Sequence, residues 1–145
     1  MPTDLMGMLY TASVWVIPVL FAVTLHEAVH GWAAWKLGDD TAKVLGRVSF
    51  NPLRHIDPFG TVVLPGMLIA MSAPFLFGWA KPVPVNFHRL RDPRRAMVLV
   101  AAAGPGMNFL LAYIAALLVH VLPFLPLDAQ AWAAENLLNM IKINI

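Results

Sequence analysis

Residues 23–40 read VTLHEAVHGWAAWKLGDD. His26, Glu27 and His30 fall within one short stretch, at the end of an uncharged apolar run. On a helix, residues four apart share a face, so His26 and His30 project together. Two neutral imidazoles so placed can hold one zinc ion. Glu27 follows the first of them, where a carboxylate reaches a water held at the metal. Zinc lowers the pKa of such a water toward about 7. Glu27 can take its proton and later pass it to a leaving amine, while the metal polarises the carbonyl under attack. Metal-assisted peptide hydrolysis is thus within reach of these three side chains, and it is the use made of H-E-x-x-H helices.

Alone, the pattern is weak, because three fixed positions in five recur by chance. The bland alternative is a helix end with two interfacial histidines and a solvated Glu27. The setting favours the metal. Strongly charged side chains inside a membrane helix cost at least ~2.5–3.5 kcal/mol each and are functional by default. Joining two imidazoles to a cation offsets that burial.

The elements that must carry the motif follow from composition. The chain has 145 residues, 59% hydrophobic and only 12% charged, with mean hydropathy +0.70. A globular chain carries about 25% charged residues, so the class is integral membrane and all-α, with one domain over residues 1–145. There is no cysteine, which excludes disulfides and thiolate metal sites. The net charge is +2 and the basic residues are clustered. That suits membrane orientation rather than nucleic-acid binding. The first apolar run opens just after Asp4 without a basic leader and is too long for a cleavable signal.

Three runs lack Asp, Glu, Lys and Arg: Leu5–Leu25, Pro58–Ala80 and Ala96–Leu127. Each reaches the ~20 residues a spanning helix needs. The first is expected to continue as helix to Leu37, where Gly38-Asp39-Asp40 stops it. The third reads as a helix from about Arg95 to Val121, ended by Pro123 and Pro126. A further helix begins in AQAWAAENLLNMIKINI. Residues 41–57 alternate and carry Asn-Pro and Asp-Pro breakers, so they read as short strands with turns. The second run contains Pro65-Gly66 and Pro74. Its flanks are both basic: Lys36, Lys43, Arg47 and Arg54 before, Lys81, Arg89, Arg91, Arg94 and Arg95 after. The positive-inside rule places both flanks in the cytoplasm if the run is a re-entrant hairpin. A plain transmembrane helix is the alternative.

Four stretches, LHEAVHGWAAWKLGD, AKVLGRVSFNPLRHIDPFGT, FGWAKPVPVN and AAAGPGMNFLLA, resemble the compact site-2 proteases, intramembrane zinc metalloproteases of peptidase family M50. They extend from about Leu25 to Ala112. The resemblance implies a multi-pass protein of a prokaryotic inner membrane, with its active site near the cytoplasmic face. It implies membrane-embedded protein substrates and a small membrane-associated β element over 41–57, beside which a substrate lies as an added strand. By motif, His26 and His30 match the zinc ligands and Glu27 the catalytic base. The family's third ligand, the Asp of N-x-x-P-x-P-x-L-D-G, has no counterpart here. Leu127-Asp128 is followed by Ala129 and lacks the upstream Asn, so the motif is expected beyond Ile145. A competing function is a non-catalytic pseudoprotease that binds transmembrane partners; the missing Asp supports it and Glu27 argues against it.

The remaining candidates carry plainer expectations. Ala102 and Gly106, around Gly104-Pro105, read as small residues that let helices pack closely. Asn108 reads as a packing residue, with a hydrogen bond to substrate or to a loop near the site as the alternative. His55 and Asp57 read as interfacial turn residues, with outer-shell contact to a zinc ligand as the alternative. His88 and His120 read as headgroup and interface contacts. Trp32, Trp35 and Trp79 suit an aromatic belt, and Arg89–Arg95 lipid headgroups.

Overall fold

The computed structural model describes residues 5–71 and 78–145, with the backbone alone at Pro65 and Ile69. Five α-helices follow one another: α1 (Leu5–Lys36), α2 (Thr41–Val44), α3 (Leu64–Ala70), α4 (Pro93–Leu118) and α5 (Leu127–Asn144). Short 3-10 turns lie at Pro52–Arg54, Phe87–Arg89 and Val119–Phe124, and a π-type turn at Pro58–Val63 leads into α3. α1, and α4 with its 3-10 extension, are each long and apolar enough to cross a bilayer. Large apolar side chains such as Leu9, Val16, Phe21, Leu99, Phe109 and Tyr113 lie exposed along them, as faces solvated by lipid would.

The chain forms two compact units, residues 1–26 with 104–145, and residues 27–103. In the first, α5 packs on the N-terminal part of α1. Pro18 lies inside α1. It has no N–H, so the Val14 carbonyl loses its helical partner. Asn139 of α5 supplies one: its Nδ2 donates to Val14 O at 2.9 Å, in a buried setting. Trp132 Nε1 donates to Ser13 Oγ at 2.9 Å, and Tyr10 Oη to Glu135 Oε1 at 3.1 Å.

In the second unit, Ala33 and Ala34 of α1 pack against Val100 of α4, with Leu37, Val85 and Ala103 around them. Gly31 admits a close approach. A Cβ there would stand 3.1 Å from side-chain atoms of Ala42, Val48 and Val83. Helix α1 ends at Lys36, and Gly38 turns the chain at φ +116. Asp39, fully buried, then ties this end to the chain beyond residue 85. Its carboxylate accepts from the Thr41 amide at 3.0 Å, from the Thr41 hydroxyl, and from the Asn86 amide at 2.6 Å. Burial alone would raise its pKa, but the bonds from Thr41 and Asn86 and the charge of Arg89 outweigh it and hold the group below the usual carboxylate range.

The expected β element over 41–57 is not formed; among the described residues there is no strand. Side-chain oxygens take up the backbone amides. Asp39 Oδ1 accepts from the Thr41 amide, although Asp40, which precedes α2, makes no side-chain cap. Asn51 Oδ1 accepts from Leu53 N and starts the Pro52–Arg54 turn, and Asp57 Oδ1 accepts from Gly60 N and starts the next. The Asn-Pro and Asp-Pro pairs act as helical-turn starts, with proline in the first turn where its missing N–H costs nothing. Among the described residues the alternating segment has no neighbouring strand to pair with.

The described start of the second apolar run winds through six π-type and seven α residues, Pro58–Ala70. Pro74 lies outside the described residues. Beyond, the chain is back beside its start. Trp79 N donates to Gly60 O at 3.1 Å, Lys81 N to His55 O at 2.9 Å, and Thr61 Oγ1 to Trp79 O at 2.7 Å. The Trp79 ring lies so close over Gly60 that a Cβ there would collide with it, so Trp79 packs at the mouth of the run.

Candidate active site

His26, Glu27 and His30 lie on consecutive turns of α1, all half-buried. Their helical spacing sets both imidazoles on one face, as the sequence requires. What orients each ring is nonlocal. His26 Nδ1 stands 3.2 Å from Asn108 Oδ1 of α4. His30 Nδ1 stands 2.6 Å from the Val100 carbonyl. A carbonyl oxygen only accepts, so the ring nitrogen facing it carries the proton. His30 Nδ1 thus donates to Val100 O, and His26 Nδ1 faces the side-chain oxygen of Asn108 in the same way. An oxygen on the second ring nitrogen is the outer contact that metal-ligating histidines commonly make.

Pro105 inside α4 removes the N–H that would meet the Ala101 carbonyl, and the neighbouring Val100 carbonyl is the one that meets His30. Asn108 follows within a turn. Asn108, expected to pack or else to bond substrate or a loop, instead places its Oδ1 against the His26 ring. Ala102 and Gly106, expected as close-packing positions, are both exposed among the described residues, and a Cβ on Gly106 would meet nothing within 4 Å.

Glu27 is aimed by a backbone group. Its Oε2 accepts from Val83 N at 2.9 Å. Pro82 and Pro84 flank Val83, so no other amide of that triplet can donate. Nothing in the sequence marked Val83, because a backbone N–H has no letter of its own. The alternation of proline with valine in KPVPVN was the available signal.

The other candidates lie elsewhere. His55 is buried, with Nε2 2.9 Å from Ser49 O, and Asp57 caps its own turn, so neither braces a zinc-ligand imidazole. Asp128 is exposed in the first turn of α5. His120 Nδ1 faces Leu117 O, and His88 lies exposed in a 3-10 turn. Trp35 is capped by cations, with Lys43 Nζ at 3.6 Å and Lys36 Nζ at 4.7 Å from its ring centroid. Among the described residues no group of three His, Cys, Asp or Glu side chains stands ready for a metal. The chain thus offers two imidazoles at helical spacing, each with an oxygen at Nδ1, and a carboxylate next to the first. This donor set fits a zinc ion that takes its further ligands from elsewhere.

A family model described as "Peptidase family M50" matches residues 14–145. The chain belongs to peptidase family M50. It is 48% identical over 99 residues to "Putative zinc metalloprotease YwhC" of Bacillus subtilis, which covers 68% of this chain and 42% of that protein. It is 32% identical over 124 residues to "Putative zinc metalloprotease Rip2" of Mycobacterium tuberculosis, and 27% identical over 124 residues to the protein of that name from Mycolicibacterium smegmatis. Both of those matches cover 86% of this chain and 46% of the relative. This M50 chain therefore spans somewhat under half the length of the relatives it matches. No solved structure matches it. With its family and its two long apolar helices, it is a membrane protein.

Proposed function

We propose that this chain carries the H-E-x-x-H half of an intramembrane zinc metalloendopeptidase whose substrates are membrane-embedded proteins. The observation that carries the proposal is the geometry of the histidine pair: four residues apart on one helix, with Nδ1 of His26 facing Asn108 Oδ1 and Nδ1 of His30 facing the Val100 carbonyl. His26 and His30 would hold the zinc. Bound there, zinc supplies Lewis acidity, which activates water and polarises a carbonyl. Glu27 is the general base. With Oε2 engaged by Val83 N–H, Oε1 takes the proton of the attacking water and returns it to the amine that leaves. The names of the M50 relatives support zinc and proteolysis alike. The test uses the full-length protein reconstituted in liposomes with a transmembrane substrate. Chelation should stop cleavage and added zinc restore it. Cleavage that survives exhaustive chelation would refute the proposal.

The proposal extends to topology. The second apolar run begins and ends beside itself, and its flanks are both basic. Residues 38–57 and 81–95 then lie on one side of a prokaryotic inner membrane, the cytoplasmic side by the positive-inside rule, with the site near that face. Residues 1–145 contain no cysteine, so cysteines placed at Leu53 and Arg94 report without interference from this segment. An impermeant thiol reagent should reach both from the same side. Labelling from opposite sides would make the run a simple span.

A further inference from the structure

Arg47 is a buried cation to which the mechanism above gives no task. It is 8% exposed, and among the described residues no carboxylate pairs with it. A buried guanidinium without a counter-ion is expensive. Arg47 is therefore not one more basic residue on a membrane flank.

Its hydrogen bonds say what it holds. Nη2 donates to Lys81 O at 2.6 Å and reaches Pro82 O at 3.4 Å. The Pro82 carbonyl and the Val83 N–H belong to one planar peptide unit. Arg47 thus engages one edge of that unit, and Glu27 Oε2 receives the N–H from the other. The segment transmits position well. Pro82 and Pro84 have fixed φ, and Lys81 and Val83, each preceding a proline, are confined to extended backbone. Arg47 is itself anchored. Its amide donates to Ala42 O at 2.8 Å, and the preceding turn at Gly46 is clasped by Arg54 Nη1 on Gly46 O at 2.8 Å. Val48 and Val83 both close on Gly31, the residue after His30.

We infer that Arg47 is a positioning residue for Glu27: through the rigid Lys81–Val83 segment it holds the Val83 amide against Oε2 and so sets the direction of the carboxylate. The inference rests on Glu27 being the base, and the test separates the two.

The experiment compares wild-type, Arg47→Met and Arg47→Lys forms of the full-length, zinc-loaded protein. Three quantities are read: hydrogen exchange in the peptide covering 81–85, kcat and KM on a reconstituted transmembrane substrate, and zinc content. That peptide has three exchanging amides, because 82 and 84 are proline. In Arg47→Met, the Val83 amide should exchange roughly tenfold faster or more. Its kcat should fall roughly tenfold to a hundredfold, the scale of loss when a reacting group is misplaced. KM and zinc content should stay near wild type, as should exchange in residues 14–22. Arg47→Lys, with its charge and a donor, should recover part of both losses. Should Arg47→Met fail to fold, Arg47→Gln decides on the same readouts. Unchanged Val83 exchange in a folded variant overturns the positioning role, as does a raised KM with kcat intact. A fully active Glu27→Gln protein overturns the base assignment instead, whatever Arg47 does.

Discussion

Glu27→Gln in the full-length protein should lower cleavage by about 10²–10⁴-fold, the usual worth of a positioned acid–base group, and leave zinc bound. The substitution isolates the proton. A glutamine oxygen still accepts from Val83 N–H, so the side chain stays where the 2.9 Å bond holds it. Its amide has no lone pair basic enough to take a proton from water. The effect should fall on kcat. Single-turnover cleavage of a transmembrane substrate, with zinc measured on the same sample, reads both halves. A Glu27→Gln protein that cleaves at the wild-type rate, or that loses its zinc, would remove Glu27 from the role given to it.

His30→Ala should lose both metal and activity, because half of the helical donor pair disappears and alanine cannot replace an imidazole. Zinc should fall from one per chain to a small residue after dialysis, and cleavage below detection. Asn108→Leu provides the graded comparison. It leaves both imidazoles but removes the oxygen that faces His26 Nδ1 at 3.2 Å. Loss of such an outer contact weakens metal binding about 10–100-fold, so activity should return with excess zinc. No rescue is expected for His30→Ala. Full zinc occupancy in His30→Ala would move the metal site elsewhere.

How far the sequence disclosed this arrangement depends on whether the signal was local. The two long helices were legible because uncharged runs of that length have few other uses. The face shared by His26 and His30 was legible because helical period follows from spacing alone. Residues 41–57 misled, because their alternation competes with Asp39, Asn51 and Asp57, whose side-chain oxygens capture backbone amides instead. Arg47 looked like one more basic residue on a flank, since burial depends on a segment more than thirty residues away. Val100 and Val83 act through main-chain atoms and leave no trace in side-chain chemistry. Asn108 was half legible: its polarity in an apolar run marked it, and only the fold named its partner.

The proline in α1 also has a history during synthesis. Val14 and Asn139 are 125 residues apart in the chain. At about 5–20 residues per second, the ribosome needs on the order of 10 s to deliver the amide that the Val14 carbonyl lacks. Through that interval a nascent α1 in the bilayer carries an orphan acceptor, and lipid exacts several kcal/mol for one left dry. Until α5 arrives, that acceptor must be met by water or by a local adjustment of the helix, and Asn139 then takes over the role from 125 residues away.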